Sequence, residues 1–178
     1  MPELIPALKQ DEILKMVSSA AQRISLEYYD KEPVLIGVLK GSFVFLSDLV
    51  RHLSIPVKID FIAVSSYGSS VSSSEEIRLT KHHDIEIKDR DILIVEDIID
   101  TGLTISFIIN YLQSFHPKSI KICTLIDKHE RRKVNINIDF KCHVVKNGFF
   151  VGYGLDFAEK FRELPDIYKL NFNQRSIS

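Results

Sequence analysis

The stretch Ile92–Thr104, ILIVEDIIDTGLT, runs from a strand pattern directly into the start of a helix. Four consecutive branched apolar residues, Ile92 to Val95, are typical of a parallel strand that is covered on both faces. Thr101 and Thr104 flank Gly102 where a helix is expected to begin, and unpaired N–H groups at a helix start favour an anion. A glycine there lets the main chain approach that anion closely. The stretch therefore predicts a strand that delivers a phosphate-binding loop.

Two acidic residues lie at the carboxyl end of the predicted strand. Glu96 and Asp97 occupy the edge at which open α/β sheets bind their ligands. Because two carboxylates would repel a phosphate, we expect them to accept hydrogen bonds from sugar hydroxyls or to face a divalent cation. The implied ligand is a sugar phosphate with Mg²⁺.

Composition limits the class of protein. A chain of 178 residues with 45% hydrophobic residues is predicted to form a single domain over residues 1–178. The net charge of −1 and the lack of a long basic run argue against a nucleic-acid partner. No apolar run reaches about 18 residues and the N-terminus lacks a signal-peptide pattern, so no membrane partner is expected. We expect a cytoplasmic protein whose two cysteines, Cys123 and Cys142, are reduced packing residues.

Hydrophobic periodicity predicts two strand–helix–strand crossovers and hence an α/β fold. Seven serines in residues 65–74, followed by a charged segment, predict a mobile lid over about residues 65–78. Short apolar runs at 143–145 and 149–153 are expected to form a small C-terminal hood with the tail. The predicted helices are 11–28, 42–53 with Ser42 as its cap, and 103–115; the predicted strands are 34–39, 57–64, 92–96 and 120–126.

Several motifs in the chain resemble those of a known family. Glu96 to Gly102, EDIIDTG, is similar to the phosphoribosyl-pyrophosphate (PRPP) motif of type I phosphoribosyltransferases, in the variant typical of hypoxanthine(-guanine) phosphoribosyltransferases. Further matches follow the family's order between residues 34 and 168, which makes the resemblance more specific than any one motif. They are LKGS at 39–42, SSYG at 65–68, DK at 127–128, RR at 131–132 and FFVGYGLD at 149–156.

The resemblance implies a fold and an activity. The fold would be a mostly parallel, twisted sheet flanked by helices, with a small C-terminal hood. The activity would be Mg²⁺-dependent transfer of phosphoribosyl from PRPP to hypoxanthine and guanine, giving the nucleoside monophosphates IMP or GMP and pyrophosphate, as in purine salvage. Members of the family form dimers or tetramers, so we expect a homo-oligomer.

The resemblance also implies roles for individual residues. Asp100 would be the general base near N7 of the purine, although a helix N-cap is the alternative on sequence alone. The peptide before Lys40 can be cis in the family. Glu96 and Asp97 would contact ribose and Mg²⁺, and Asp156 would make a further Mg²⁺ contact. The 5′-phosphate would be held by Thr101, Gly102 and Thr104, and pyrophosphate by Lys40, Gly41, Arg132 and Arg162. The purine would contact Lys128, Phe149 and Phe150, and the lid tip would carry Ser66 and Tyr67.

Several alternatives stay open at this level. A lysine after a buried strand commonly only extends to water, and paired aromatic residues are ordinarily core, so Lys40 and Phe149–Phe150 depend on the resemblance. A xanthine-preferring enzyme is the rival within the same class. A PRPP-sensing regulatory protein that binds RNA or DNA is the rival outside it. Such a sensor would not need the combination of Asp100, Lys128, Phe149 and Asp156. The sequence does not rank hypoxanthine, guanine and xanthine as substrates.

Overall fold

Strands and helices alternate along most of the chain. The computed structural model describes residues 2–67 and 76–172, and at residues 66, 67 and 76 it describes the backbone alone. The elements are β1 Glu3–Leu8, α1 Gln10–Glu27, β2 Val34–Leu39, α2 Phe43–His52, β3 Lys58–Tyr67, β4 Glu76–Lys81, β5 Asp91–Ile99, α3 Leu103–Gln113, β6 Ser119–Lys128, β7 Phe140–Val145, β8 Phe150–Val151 and β9 Ile167–Asn171.

The main sheet has six strands in the order β4-β3-β2-β5-β6-β7. All neighbours in it are parallel except β3 and β4. Helices α1 and α2 pack on one face and α3 on the other, as expected for parallel strands joined by crossovers. The predicted α/β fold with a mostly parallel sheet is therefore confirmed.

Both faces of the central strands are buried, which explains their unbroken apolar runs. Along β5, Leu93 and Val95 pack with α1 and α2, whereas Ile92 and Ile94 pack against α3. All four side chains are fully buried. Cys123 lies in the same core and both cysteines are unpaired, in agreement with the sequence prediction. Among the described residues, no helix combines the length and apolarity needed to span a bilayer.

The position of a ligand crevice follows from the strand order. From β2 the chain crosses through α2 to β3 on one side, and from β5 it crosses through α3 to β6 on the other side. Strand order therefore reverses between β2 and β5, and open α/β sheets bind ligands outside the carboxyl ends at such a point. The loop after β2 and the acidic end of β5 meet there.

The hood differs from the sequence prediction. Residues 143–145 belong to β7, an edge strand of the main sheet, because they continue its parallel ladder from β6. The hood is a separate antiparallel sheet in the order β1-β9-β8. Strand β1 was not predicted, since it is mostly exposed and its sequence ELIPAL has no clear alternation.

The polar segment after β3 also differs in part. The sequence predicted a mobile lid over about residues 65–78, yet β3 continues to Tyr67 and β4 pairs with it antiparallel from Glu76 to Lys81. Backbone pairing at the sheet edge stabilises these polar strands without burial. Residues 68–75, and with them most of the predicted lid, lie outside the described residues. Ser42 is at the N-cap position of α2, but its hydroxyl donates to the Val38 carbonyl and does not cap the helix.

Asp60 on β3 anchors the segment that follows β4. Its carboxylate is buried and accepts hydrogen bonds from the N–H groups of Phe61 at 2.7 Å, Asp84 at 2.6 Å and Ile85 at 2.8 Å. Burial by itself would raise the pKa of Asp60, but these hydrogen bonds and the Lys81 ammonium outweigh burial and lower that pKa. The ionised form of Asp60 therefore stabilises the folded chain.

We predict that Asp60→Asn lowers the free energy of unfolding at pH 7 by about 1–3 kcal/mol, because one carboxylate oxygen becomes a donor that faces N–H donors. A lowered folded-state pKa gives stability that is present at neutral pH and lost as the pH falls below about 4. The difference from wild type should shrink over that range in urea unfolding experiments. Asp84→Asn, at a side chain that is 83% exposed, is the matched control and should change stability much less. Equal losses for both variants would contradict the anchoring role.

Candidate active site

The loop between β5 and α3 has the backbone shape expected of an anion site. Gly102 is at the N-cap position of α3 with φ 84°, a conformation that residues with a Cβ rarely adopt. The Thr101 hydroxyl accepts a hydrogen bond from the Leu103 N–H at 3.3 Å. A cavity of about 120 Å³ opens beside this loop. It is lined by Glu96, Ile98, Ile99, Asp100, Thr101, Gly102, Thr104 and Ile105.

A second cavity of about 220 Å³ lies between the carboxyl end of β5 and the hood. Asp100 and Ile98 line both cavities, so Asp100 stands between the phosphate loop and the second cavity. Because Asp100 precedes the N-cap of α3 by two residues, it does not cap that helix. The second cavity is lined by Asp97, Ile98, Asp100, Lys128, Arg131, Gly148, Phe149, Phe150, Leu155 and Asp156.

An ion pair crosses the second cavity. The Lys128 ammonium, on a side chain that is only 9% exposed, lies 2.9 Å from one Asp100 carboxylate oxygen. Lys128 also donates to the Gly148 carbonyl at 3.1 Å. The other Asp100 oxygen is buried and has no hydrogen-bond partner among the described residues. Lys128 ends β6, whereas the sequence placed it just beyond that strand.

The two neighbouring aromatic residues have different environments. Phe150 packs against the main core, as is ordinary for paired aromatic residues in a strand. Phe149 is 43% exposed and lines the second cavity. Its ring lies at near-right angles to Phe157 and Phe172, with centroid separations of 5.6 and 6.0 Å. Edge contacts of this kind hold the Phe149 ring while leaving it accessible to a stacking ligand.

Glu96 and Asp97 form an acidic pair at the switch point of the sheet. Burial, and then the neighbouring Asp97, raise the pKa of Glu96 well above its usual range, and burial also raises the pKa of Asp97. One Glu96 oxygen is buried without a hydrogen-bond partner in the described part of the chain. The Asp97 carboxylate lies so close to Gly41 that a Cβ there would collide with it. Such a pair can accept hydrogen bonds from hydroxyl groups or bind a cation.

The loop after β2 and the hood bring further charges to this place. The Leu39–Lys40 peptide is cis. The Lys40 ammonium lies 2.8 Å from Glu159, and Arg162 lies 2.9 Å from Asp156. A Cβ on Gly154 would collide with the Gly41 carbonyl, so the hood packs directly on the loop after β2.

Arg132 has an environment that the sequence did not indicate. Its guanidinium donates to the Asp100 carbonyl at 2.8 Å, the Ile99 carbonyl at 3.1 Å and the Lys128 carbonyl at 3.0 Å, and it reaches an oxygen of Asp127 at 2.5 Å. Asp127 is fully buried; burial alone would raise its pKa, but the hydrogen bonds from Arg132 and from Lys141 outweigh burial and lower it. The only sequence signal for this network was a charged residue at a buried strand end.

Most of the residues predicted for the site lie near one another. The side chains of Ser66 and Tyr67 are outside the described part of the structure. Arg132 lies next to the Asp100–Lys128 pair, with its Nε and Nη2 donors taken by protein atoms. Within residues 2–67 and 76–172, no group of three or more His, Cys, Asp or Glu side chains is arranged to hold a metal ion.

Comparison with known proteins identifies the family. The model of the phosphoribosyl transferase domain matches residues 7–158. Hypoxanthine-guanine phosphoribosyltransferase of Bacillus subtilis (strain 168) is 46% identical over 160 residues, which cover 90% of this chain and 89% of that protein. Hypoxanthine phosphoribosyltransferase of Salmonella typhimurium is 40% identical over 165 residues, which cover 92% of this chain and 93% of that protein.

A solved structure agrees with the sequence relatives. The crystal structure of a hypoxanthine-guanine phosphoribosyltransferase from Bacillus anthracis matches with a TM-score of 0.88 and 40% identity, covering 94% of this chain and 99% of that chain. The family match over residues 7–158 includes the β5–α3 loop and the residues that line the two cavities. The chain therefore belongs to the phosphoribosyltransferase family.

Proposed function

We propose that this protein transfers phosphoribosyl from PRPP to hypoxanthine or guanine in purine salvage and releases pyrophosphate. The observation that carries the proposal is the position of Asp100, between a phosphate-type loop and a cavity that also contains Lys128 and Phe149. The names of the relatives favour these purines over xanthine. The proposal includes a cytoplasmic homodimer or homotetramer, and a lid whose tip carries Ser66 and Tyr67.

In this proposal the purine occupies the larger cavity. Phe149 stacks on the ring, and the backbone of Phe150 contacts the ring edge. The Lys128 ammonium donates to O6 of a 6-oxopurine, whereas the 6-amino group of adenine would place a donor against a donor. A purine O6 next to Lys128 replaces Asp100 as the acceptor for that ammonium. The Asp100 carboxylate then becomes available to the reacting base.

Asp100 has two tasks in the transfer step. It accepts the proton of the purine as N9 bonds to C1 of the ribose and the C1–pyrophosphate bond breaks. Its negative charge also offsets the oxocarbenium character that develops on the sugar. The position of Asp100 on both cavities suits both tasks, since the bond that forms must lie where the sugar and the purine meet.

The sugar phosphate of PRPP occupies the smaller cavity in this proposal. Thr101, Gly102 and Thr104 hold the 5′-phosphate at the start of α3. Glu96 and Asp97 accept hydrogen bonds from the ribose hydroxyls, which would give the unpartnered Glu96 oxygen a donor. Lys40, Gly41 and Arg162 receive the pyrophosphate group next to the crevice.

We propose Mg²⁺ as the cofactor. The carboxylates of Asp156, Glu96 and Asp97 suit a hard cation, and the buried, unpartnered oxygen of Glu96 is compatible with one. Because the described residues contain no complete carboxylate cage, substrate oxygens and water would complete the coordination. The bound ion would neutralise charge on the leaving pyrophosphate.

We propose a positioning role for Arg132 in place of the pyrophosphate contact expected from the sequence. Its guanidinium joins the backbone of Asp100 to the backbone of Lys128 and is itself held by Asp127. A pyrophosphate contact through the same nitrogen atoms would break these hydrogen bonds. Arg132 therefore acts through the two residues above it.

We predict that Asp100→Asn lowers kcat with hypoxanthine by about 10²-fold or more, because an amide cannot accept the purine proton. PRPP affinity should persist. Pre-steady-state measurement of the chemical step checks the prediction, with Asp11→Asn on the exposed start of α1 as the control. An unchanged chemical step would remove Asp100 from the mechanism.

We predict that Lys128→Gln weakens binding of IMP by about 1.5–3 kcal/mol, the range for a lost charge-assisted hydrogen bond, with little effect on PRPP. Discrimination against adenine should also fall, because a glutamine amide can accept as well as donate. Isothermal titration calorimetry with each ligand tests this, and Lys133→Gln is the exposed control. Equal losses for IMP and PRPP would place Lys128 on the phosphate side.

We predict that Arg132→Lys lowers kcat by about tenfold while the affinity for Mg²⁺-pyrophosphate changes little, because one ammonium cannot replace a guanidinium that joins several acceptors. Arg51→Lys, at an exposed arginine, serves as the control. If pyrophosphate affinity fell as far as kcat, the contact expected from the sequence would be correct and the positioning role wrong.

A further inference from the structure

The hood residue Glu159 joins the two cations that flank the crevice. One of its carboxylate oxygens lies 2.8 Å from the Lys40 ammonium, and the other lies 3.4 Å from the Arg162 guanidinium. The hydrogen bond from Lys40 is the main reason that the pKa of Glu159 is lowered. Lys40 follows β2 and Arg162 belongs to the hood, so this carboxylate links two separate parts of the molecule.

The backbone holds Glu159 in this position. Phe157 and Lys160 close a tight turn through reciprocal N–H···O=C hydrogen bonds of 3.1 Å each. Glu159 has φ 63° and its neighbours Ala158 and Phe161 have φ 52° and 78°, values that disfavour residues with a Cβ. The Glu159 N–H also donates to Asp156 at 2.8 Å. The turn therefore directs the Glu159 carboxylate, on a side chain that is 65% exposed, at two cations.

The carboxylate has the chemistry of the ligand that these cations are expected to bind. Two oxygens that share a negative charge and face two cations resemble two oxygens of a phosphoryl group. The Nε of Arg162 is buried and has no hydrogen-bond partner among the described residues, although its Nη atoms are paired. The guanidinium therefore keeps an unused donor while Glu159 is in place.

We propose that Glu159 is an internal counter-anion for the pyrophosphate subsite. It occupies Lys40 and Arg162 when pyrophosphate is absent and must release both when pyrophosphate binds. This inference rests on the proposed function, in which those two residues receive pyrophosphate. The carboxylate keeps the cations close to each other in the empty site, and by competing with pyrophosphate it weakens binding of that product and favours its release.

The test compares the affinity for Mg²⁺-pyrophosphate of wild type, Glu159→Gln and Glu159→Asp by isothermal titration calorimetry at low salt. Glutamine removes the charge, whereas aspartate keeps the charge but is one methylene too short to reach Lys40 and tolerates a positive φ. Exposed ion pairs are weak, so we expect no more than about fivefold tighter binding in both variants. The difference should shrink at about 0.5 M salt, where exposed charges are screened.

Glu163→Gln is the matched control, since Glu163 is exposed near the same turn and its side chain has no hydrogen bond or ion pair within the described residues. Its affinity should equal that of wild type. Tighter binding in Glu159→Gln alone, with Glu159→Asp unchanged, would mean general charge repulsion and would overturn the proposal. Weaker binding in both variants would mean that Glu159 supports the subsite, which also overturns it.

A separate readout distinguishes this inference from the proposed function. Formation of IMP from hypoxanthine and PRPP by wild type tests the function, whatever the behaviour of the variants. If wild type forms IMP, product inhibition by pyrophosphate should appear at up to about fivefold lower concentration in Glu159→Gln. Active enzyme with unchanged inhibition would refute the counter-anion while leaving the function in place.

Discussion

Burial of β5 on both faces is the constraint on which the rest of the site depends. Ile92 to Val95 are fully buried between α1 and α2 on one side and α3 on the other, so this part of the strand is closed to ligands, which can approach β5 at its carboxyl end. The chain places Glu96, Asp97 and the glycine turn there, next to the loop after β2. Since the helices cover both faces of the central strands, a ligand of this sheet is expected outside the carboxyl ends of those strands.

Charge pairing organises that edge before any ligand arrives. Asp100 pairs with Lys128, Asp127 with Arg132, and Asp156 with Arg162. The pairs differ in burial: Asp127 is fully buried, whereas Asp100 and Asp156 line the second cavity. A ligand with both acceptors and negative oxygens can exchange with the accessible pairs while the buried pair keeps the backbone in place. The buried ion pair thus keeps the backbone rigid, and the accessible ion pairs can exchange with a ligand.

Sequence predicted what depends on local pattern. Residues that are close in sequence predict the apolar run of β5, the threonines around Gly102 and the crossovers through α2 and α3, and the structure has them. The pairing of β1 with β9 joins Glu3 to Asn171, and no local pattern specifies such a partner. The prediction that residues 143–145 belong to the hood was wrong for the same reason. In both cases a contact between residues distant in sequence decided which strands pair.

The hood sheet has a consequence for the order of folding. Strand β9 lies between β1, at the other end of the described chain, and β8, and the Leu170 N–H donates to the Phe149 carbonyl at 2.8 Å. Contacts between residues so distant in sequence form only after the loop-closure entropy of the intervening chain has been overcome. Formation of the main sheet overcomes this entropy cost, because it brings the two ends of the described chain together. The phosphate loop is built from adjacent residues, so we expect it to form early. The side of the second cavity that carries Phe149 should form last. During synthesis, the ability to bind a sugar phosphate would therefore precede the ability to select a base.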